Sequence, residues 1–148
     1  MFQGETAITI DDKGRMSIPS AYRETVAQQC GNRLVFVYNP FEHGCLWLFP
    51  VRDWEKLRDQ VNALSSLNAV HRNLQMKLVG AATIVDVDGN GRVLVPASQR
   101  ASARLEKNAV LLGMGAKFEL WSEEAHQKQI AATIGEAQVT PDMLKLGL

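Results

Sequence analysis

The stretch TAITIDDKGRMSIPSAYR at residues 6–23 decides the fold of this chain, because it recurs as TIVDVDGNGRVLVPASQR at residues 83–100. The two stretches align without a gap at an offset of 77 positions. Six positions are identical, namely Thr6/Thr83, Asp11/Asp88, Gly14/Gly91, Arg15/Arg92, Pro19/Pro96 and Arg23/Arg100. Four more are apolar in both copies, namely Ile8/Val85, Ile10/Val87, Met16/Val93 and Ile18/Val95. Such self-similarity at a fixed period indicates a duplicated structural unit.

Each copy has the pattern of two short strands joined by a tight turn. Apolar residues recur at every second position before the turn, as in Ile8 and Ile10, which is typical of a half-buried strand. The segments DDKG and DGNG supply turn residues, since glycine adopts positive φ and aspartate or asparagine bonds nearby backbone groups. Proline ends each second strand and is tolerated in the first turn of a helix. Short helices are therefore predicted over 20–29 and 97–105.

Weaker similarity continues downstream of both copies. Two further strands are expected in each copy, at 34–37 and 46–49 in the first and at 109–112 and 118–121 in the second. Further helices are predicted over 51–64, 68–79 and 122–134. The middle one has Leu67, Val70, Leu74 and Leu78 on one face, with Asn68 as its N-cap and Gly80 as its stop.

These elements predict a mainly β, α+β chain in four segments. The segments are a first repeat at 5–52, a helical connector at 53–80, a second repeat at 81–124, and a C-terminal helix and tail at 125–148. A repeat of about 45 residues buries too little apolar surface to be stable alone. The two copies are therefore expected to pack together as a closed or nearly closed β-barrel with pseudo-two-fold symmetry.

Charge is balanced over the whole chain and uneven along it. The 148 residues contain 16 Lys+Arg and 16 Asp+Glu, and 46% are hydrophobic, which argues against disorder. Between Lys13 and Arg23 three positive charges occur without a negative one, and residues 92–107 carry four positive charges against one negative. A zero net charge excludes a protein that coats nucleic acid through bulk positive charge, but not one that concentrates cations locally.

The sequence also indicates the compartment. No apolar run approaches the roughly 20 residues that span a bilayer. The N-terminal MFQGETAITI has neither the basic region nor the long apolar region of a signal peptide. Cys30 and Cys45 lack metal-binding or redox spacing, which is typical of a reducing cytosol. A cytoplasmic protein without membrane contacts is expected.

Four motifs resemble those of the MraZ family of bacterial transcriptional regulators, which carry two SpoVT-AbrB-type repeats. The motifs are DDKGRMSIP at 11–19, LSSLN at 64–68, DGNGRVLVP at 88–96 and KFELW at 117–121. The resemblance covers most of the chain and is poor beyond residue 134. It implies a double-split or swapped-hairpin β-barrel formed by both repeats, and ring-like homo-oligomers. It also implies a nucleoid-associated repressor that binds short direct repeats of double-stranded DNA upstream of the division and cell-wall gene cluster.

The resemblance places the DNA contacts on the two repeated turns. Arg15 and Lys13 are predicted to be the principal contacts, and Arg92 is secondary because the neutral Asn90 replaces the lysine. Arginine donates two hydrogen bonds to guanine, whereas lysine meets phosphate as a point charge. The motif-positioning residues are predicted to be Asp11, Gly14, Asp88 and Gly91. An alternative is that each Asp–Arg pair only stabilises its turn, since exposed pairs contribute about 0–1 kcal/mol.

Arg23 and Arg100 are further DNA-binding candidates. Each lies on the first predicted helix of its repeat, where it would contact phosphate. The alternative is a solvated or helix-capping side chain.

Other functions find less support in the sequence. The segment DVDGNG at 86–91 fits the first half of an EF-hand loop, but its twelfth position is Ala97 instead of the required glutamate. His43, His71 and His126 are scattered without the spacing of metal ligands. No catalysis, cofactor or metal site is predicted. The alternative function is an oligomeric protein-binding scaffold or antitoxin-like module, for which Lys13 and Arg15 would be dispensable.

Overall fold

The computed structural model describes residues 1–148 and contains eight strands and five α-helices. The strands of the first repeat are β1 (Phe2–Thr9), β2 (Arg15–Ser17), β3 (Arg33–Tyr38) and β4 (Cys45–Pro50). Those of the second repeat are β5 (Thr83–Asp86), β6 (Arg92–Leu94), β7 (Asn108–Gly115) and β8 (Phe118–Ser122). The helices are α1 (Ser20–Cys30), α2 (Val51–Asn62), α3 (Ala69–Gln75), α4 (Ala97–Ser102) and α5 (Glu123–Ala131). A π-helical turn at Met76–Gly80 continues α3, and 3₁₀ turns occur at Glu136–Gln138 and Met143–Lys145.

The two repeats exchange their first strands. Six strands form one antiparallel sheet in the order β1-β7-β8-β4-β3-β5. The first strand of repeat 1 thus pairs with β7 of repeat 2, from Phe2 opposite Gly115 to Thr9 opposite Asn108. The first strand of repeat 2 pairs with β3 of repeat 1 in the same way. The predicted α+β fold with exchanged hairpins is confirmed, and its pseudo-two-fold axis passes between β4 and β8.

The remaining strands form a small second sheet. β2 and β6 pair antiparallel, with Met16 opposite Val93. Two bonds beyond this ladder tie each repeat to the turn of the other, since the Ile18 N–H donates to the Gly91 carbonyl at 2.8 Å and the Val95 N–H to the Gly14 carbonyl at 2.9 Å. β1 and β5 remain edges of the large sheet, so the barrel is not closed by one continuous ladder.

The main core is shared between the repeats. Eighteen buried residues form one cluster, to which both copies contribute. β3 is buried on both faces: Leu34 and Phe36 point into this cluster, whereas Val35 and Val37 point to a smaller cluster under α2 and the π-helical turn. This explains why β3 is a continuous apolar run, whereas the strands before each turn alternate.

The second cluster fastens the helical connector to the sheet. Trp54 on α2 is buried here, and its indole N–H donates to the Leu78 carbonyl at 2.8 Å. The Asn68 side chain caps α3 by accepting the backbone N–H groups of Val70 and His71, as predicted.

The predicted apolar face of this connector is wrong at its beginning. Leu67 is 97% exposed and Val70 is 77% exposed, whereas Leu78 is buried. Leu67 precedes the N-cap Asn68 and so lies outside the helix. A π-helical turn also takes more residues than an α-turn, so Leu78 does not keep the phase of the preceding residues.

Three helices end earlier than predicted, and α2 does so by two residues, at Asn62. α4 ends at Ser102 because Arg104 adopts a left-handed φ of 54°, and the Leu105 N–H bonds back to the Arg100 carbonyl. α5 covers Glu123–Ala131, with the Ser122 hydroxyl accepting the Ala125 N–H at 3.1 Å as its cap.

Candidate nucleic-acid interface

The first repeated turn is organised around one carboxylate. The Asp11 carboxylate accepts the backbone N–H groups of Lys13 and Arg15, each at 2.9 Å. Its second oxygen accepts the Arg15 Nε–H, also at 2.9 Å. Gly14 closes the turn with a φ of 84°, a conformation that glycine adopts without strain. We call residues 11–15 the first tip.

The second turn repeats this arrangement with one difference. The Asp88 carboxylate accepts the backbone N–H groups of Asn90 and Arg92, each at 2.9 Å. The Arg92 Nε lies 3.5 Å from the carboxylate and has no hydrogen-bond partner, so this guanidinium is held less tightly than that of Arg15. Gly91 has a φ of 75°. We call residues 88–92 the second tip.

These contacts lower the pKa of both carboxyl groups. The Arg15 backbone N–H is the largest cause of the lowered pKa of Asp11, followed by the Arg15 guanidinium and the Lys13 N–H. The pKa of Asp88 is lowered first by the Arg92 backbone N–H, and the positive charges of Arg92 and Arg15 contribute further. The charge of Arg15 acts on Asp88 because the two tips are joined by the short β2–β6 ladder, which is three residue pairs long.

Each tip is supported by an arginine from the other repeat. A Cβ built on Gly14 would lie 2.7 Å from the Arg100 Nη1, and one built on Gly91 would lie 2.7 Å from the Arg23 Nε. The Arg23 Nε also donates to the Ile18 carbonyl at 3.0 Å. Both arginines lie on the predicted first helices, α1 and α4. Sequence reasoning did not place them at the opposite tip, because this placement follows from the strand exchange.

The β2–β6 ribbon connects the two tips and presents one face outward. Arg15 lies opposite Leu94, and Ser17 lies opposite Arg92. Residues between them, such as Met16, point into the core. We call the outward set Arg15, Ser17, Arg92 and Leu94 the ribbon face.

The ribbon face is accessible along its length. The side chains of Arg15 and Arg92 are 33% and 32% exposed, Leu94 is 54% exposed, and Ser17 is exposed. Sequence reasoning missed Ser17 and Leu94. The available signal was the apolar-x-apolar pattern of each return strand, whose middle position points away from the core.

The tips concentrate positive charge. The cations here are Lys13, Arg15, Arg23, Arg92 and Arg100, and the acids are Asp11, Asp12 and Asp88. Two of the three carboxylates are occupied by tip amides, whereas Lys13 is fully available at the surface. The arrangement can donate hydrogen bonds and attract anions.

The structure contains neither a metal-ligand cluster nor a thiol whose pKa is lowered. No group of three or more His, Cys, Asp or Glu side chains is placed to hold a metal ion. Burial raises the pKa of the Cys45 thiol to about 12 and also raises that of Cys30, so both are poor nucleophiles at neutral pH. None of the helices has the length and apolar character needed to cross a membrane.

The fold and this face define a class: a two-repeat α+β protein whose repeats exchange hairpins and present an arginine-bearing β-ribbon. A sequence profile of the family described as "MraZ protein, putative antitoxin-like" matches residues 1–77 and 78–145. The chain belongs to the MraZ family.

Three curated relatives, each named transcriptional regulator MraZ, agree with this assignment over their full length. The protein of Stenotrophomonas maltophilia is 55% identical and that of Xanthomonas campestris pv. campestris is 54% identical, each over all 148 residues and 100% of both chains. The protein of Marinobacter nauticus is 42% identical over 147 residues, covering 99% of this chain and 98% of its own.

Proposed function

We propose that this protein is a DNA-binding transcriptional repressor that inserts its β2–β6 ribbon into the major groove. The observation that carries the proposal is the ribbon face, on which two arginines from equivalent positions, 33% and 32% exposed, each lie against a carboxylate. The major groove is about 12 Å wide and admits a two-stranded β-ribbon. The relatives named as transcriptional regulators support this assignment.

The residues of the tips have distinct roles in this proposal. Arg15 donates a pair of hydrogen bonds to a guanine, and Asp11 fixes the guanidinium in advance, which reduces the entropy lost on binding. Arg92 acts in the same way from the second tip, with a looser hold. Lys13 neutralises a phosphate. The guanidinium groups of Arg23 and Arg100 pack against the tips, and their Nη–H groups donate to phosphate.

Several copies of the chain act together in the proposal. We assign the target as short direct repeats upstream of the division and cell-wall gene cluster, bound by a ring-like homo-oligomer at the nucleoid in the cytoplasm. A zero net charge lets subunits assemble without self-repulsion, and the exposed Leu67 and Val70 offer apolar surface for contacts between subunits. Linked weak sites then gain affinity through effective concentration. Neither catalysis nor a cofactor has a part in this function.

The decisive experiment titrates wild type and Arg15→Ala against the chain's own upstream DNA at two salt concentrations. Loss of one bidentate pair is expected to weaken binding by about 5- to 150-fold per site. The matched control is Arg52→Ala, which removes an exposed arginine on α2, a helix that packs against β3, β4 and the π-helical turn. Undiminished, salt-insensitive binding by Arg15→Ala would overturn the proposal.

A second candidate function is an oligomeric protein-binding scaffold or antitoxin-like module. The family description "putative antitoxin-like" favours it. It predicts that Arg15→Ala and Lys13→Ala leave function in the cell unchanged, whereas the repressor proposal predicts that both variants raise transcription of the target genes. Native mass spectrometry with and without promoter DNA separates the two, since only the repressor gains the mass of the DNA.

A further inference from the structure

The ribbon face carries equivalent arginines from the two repeats, but its other two residues differ. At the offset of 77, Arg15 corresponds to Arg92, but Ser17 corresponds to Leu94. The antiparallel register places Leu94 opposite Arg15 and Ser17 opposite Arg92. One end of the ribbon therefore combines an arginine with an apolar side chain, and the other end combines an arginine with a hydroxyl.

The same asymmetry extends into the tips. Lys13, next to the Arg15 end, corresponds to Asn90, next to the Arg92 end. Both residues are exposed. Lys13 and Leu94 thus share the Arg15 end, whereas the neutral Asn90 and Ser17 accompany Arg92 at the other end.

Leu94 belongs to neither of the two core clusters. Its neighbours Val93 and Val95 are each 1% exposed and supply the core contacts of this strand, whereas Leu94 itself is 54% exposed. Leaving a leucine side chain in water gains nothing for folding, and covering it would be favourable. Its exposure is understandable if a binding partner covers it.

The proposed function restricts what that partner can be. In the major groove the base edges carry donors, acceptors and a single apolar group, the 5-methyl of thymine. A leucine cannot donate or accept a hydrogen bond, so this methyl is its natural contact. Side chains directly opposite each other in a ribbon lie about 5 Å apart, which is close to one or two base steps of about 3.4 Å.

We propose that Leu94 is a specificity-determining residue that contacts the 5-methyl group of a thymine beside the base bound by Arg15. This inference rests on the proposed DNA-binding function. Ser17, at the equivalent position, faces hydrogen-bonding groups of the bases at the opposite end. The ribbon consequently binds its site in one orientation, which agrees with the direct repeats of the proposed function.

The test replaces single thymines in the upstream DNA by deoxyuridine, which lacks the 5-methyl group and keeps every hydrogen-bonding group. Wild type, Leu94→Ala and the matched control Ser17→Ala are titrated as full-length proteins. Wild type and Ser17→Ala are expected to lose about fourfold affinity per site at one thymine position in each repeat. Leu94→Ala is expected to bind the thymine and deoxyuridine DNAs equally.

A second variant tests the orientation. Exchanging the two residues in Ser17→Leu/Leu94→Ser is expected to move the thymine requirement to the other end of each repeat. Thermal unfolding and native mass confirm that each variant is folded and assembled before titration.

The outcomes separate this inference from the proposed function. If wild type binds the DNA but Leu94→Ala shows the same deoxyuridine penalties, or wild type shows none, Leu94 does not contact a methyl group and the inference is overturned while the repressor proposal stands. If Leu94→Ala changes the oligomer mass and leaves the penalties intact, Leu94 belongs to a subunit contact and the inference is again overturned. If wild type binds no upstream DNA, both proposals fall.

Discussion

At the scale of single residues, Gly14 connects the conformation of the first tip to the position of Arg100. Its φ of 84° strains any residue with a Cβ, and a Cβ here would lie 2.7 Å from the Arg100 Nη1. Gly14→Ala is therefore expected to reduce the free energy of unfolding by about 1–2 kcal/mol. It is also expected to weaken DNA binding, because the guanidinium must move. Denaturant unfolding and DNA titration measure the two effects.

The control for this prediction is Gly89→Ala in the second turn. A Cβ at Gly89 meets nothing within 4 Å, and its φ is not in the left-handed region. Equal stability losses in the two variants would show that neither the strain nor the contact at Gly14 matters.

The Asp11 carboxylate makes the stability of the first tip dependent on pH. Its folded pKa lies below the ordinary value of 3.8, so the stabilisation is fully present above that value and is lost as the pH falls through the folded pKa. Asp11→Asn is expected to lower the free energy of unfolding at neutral pH, and the difference from wild type is expected to narrow at a pH below the folded pKa, where wild type is protonated as well.

Urea unfolding at both pH values checks this expectation, with Asp12→Asn as the matched control. Asp12 is the next residue in the chain and carries the same charge, but it accepts none of the tip hydrogen bonds. A loss for Asp11→Asn that persists unchanged at low pH would assign the effect to geometry instead of charge.

At the scale of elements, the exchanged pairing of β1 with β7 depends on close backbone contact. Gly113 lies opposite Gly4, and a Cβ at Gly113 would lie 2.7 Å from the Gln3 Cα. Neighbouring backbone cannot turn aside as a flexible side chain can. Gly113→Ala is expected to reduce the free energy of unfolding by about 1–3 kcal/mol. Thermal unfolding provides the measurement. In a protein of this size, each kcal/mol of lost stability lowers the Tm by about 2–4 °C.

A surface glycine supplies the comparison for this pairing. Gly147→Ala adds a Cβ that meets nothing within 4 Å and should unfold like wild type. If Gly113→Ala does the same, the contact between β1 and β7 is looser than the structure indicates.

The sequence predicted the elements better than their partners. Local signals sufficed for the strand-turn-strand units, the Asn68 cap and the turn glycines, because each depends on neighbours in the chain. The exchange of β1 and β5 came only through the family resemblance, since no local pattern specifies which distant strand completes a ladder.

The candidate site divides in the same way. The Asp11–Arg15 pair follows from a spacing of four residues, and the structure shows its hydrogen bonds. The contacts of Arg23 and Arg100 with the opposite tips were beyond local reasoning, since they bring together residues far apart in sequence. Leu67 was misplaced because helical periodicity was extended past the N-cap, where there is no helix.

At the scale of the whole molecule, the 16 basic and 16 acidic residues balance in number but are unevenly distributed in space. The strand exchange gathers cations from both repeats around the two tips, so local positive potential arises in a neutral body. Binding through these few cations is expected to weaken as salt rises, with a slope of log affinity against log salt of about −0.9 for each phosphate contacted. Lys13→Ala should make this slope shallower by about one unit per site, whereas the exposed Lys56→Ala on α2 should not.

The exchange also makes each repeat incomplete by itself. In a fragment of residues 1–80, β1 loses β7 as its only partner and β3 loses β5, while the main core loses the side chains that the second repeat contributes, such as Leu111 and Phe118. Each fragment, 1–80 and 81–148, is therefore expected to lack a cooperative thermal transition alone, because it exposes half of a shared core. Mixing the two should restore near-ultraviolet circular dichroism and one transition, since the ladders β1–β7 and β3–β5 can form between separate chains. Cooperative unfolding of either fragment in isolation would mean that the repeats are independent domains and that the exchange only links them.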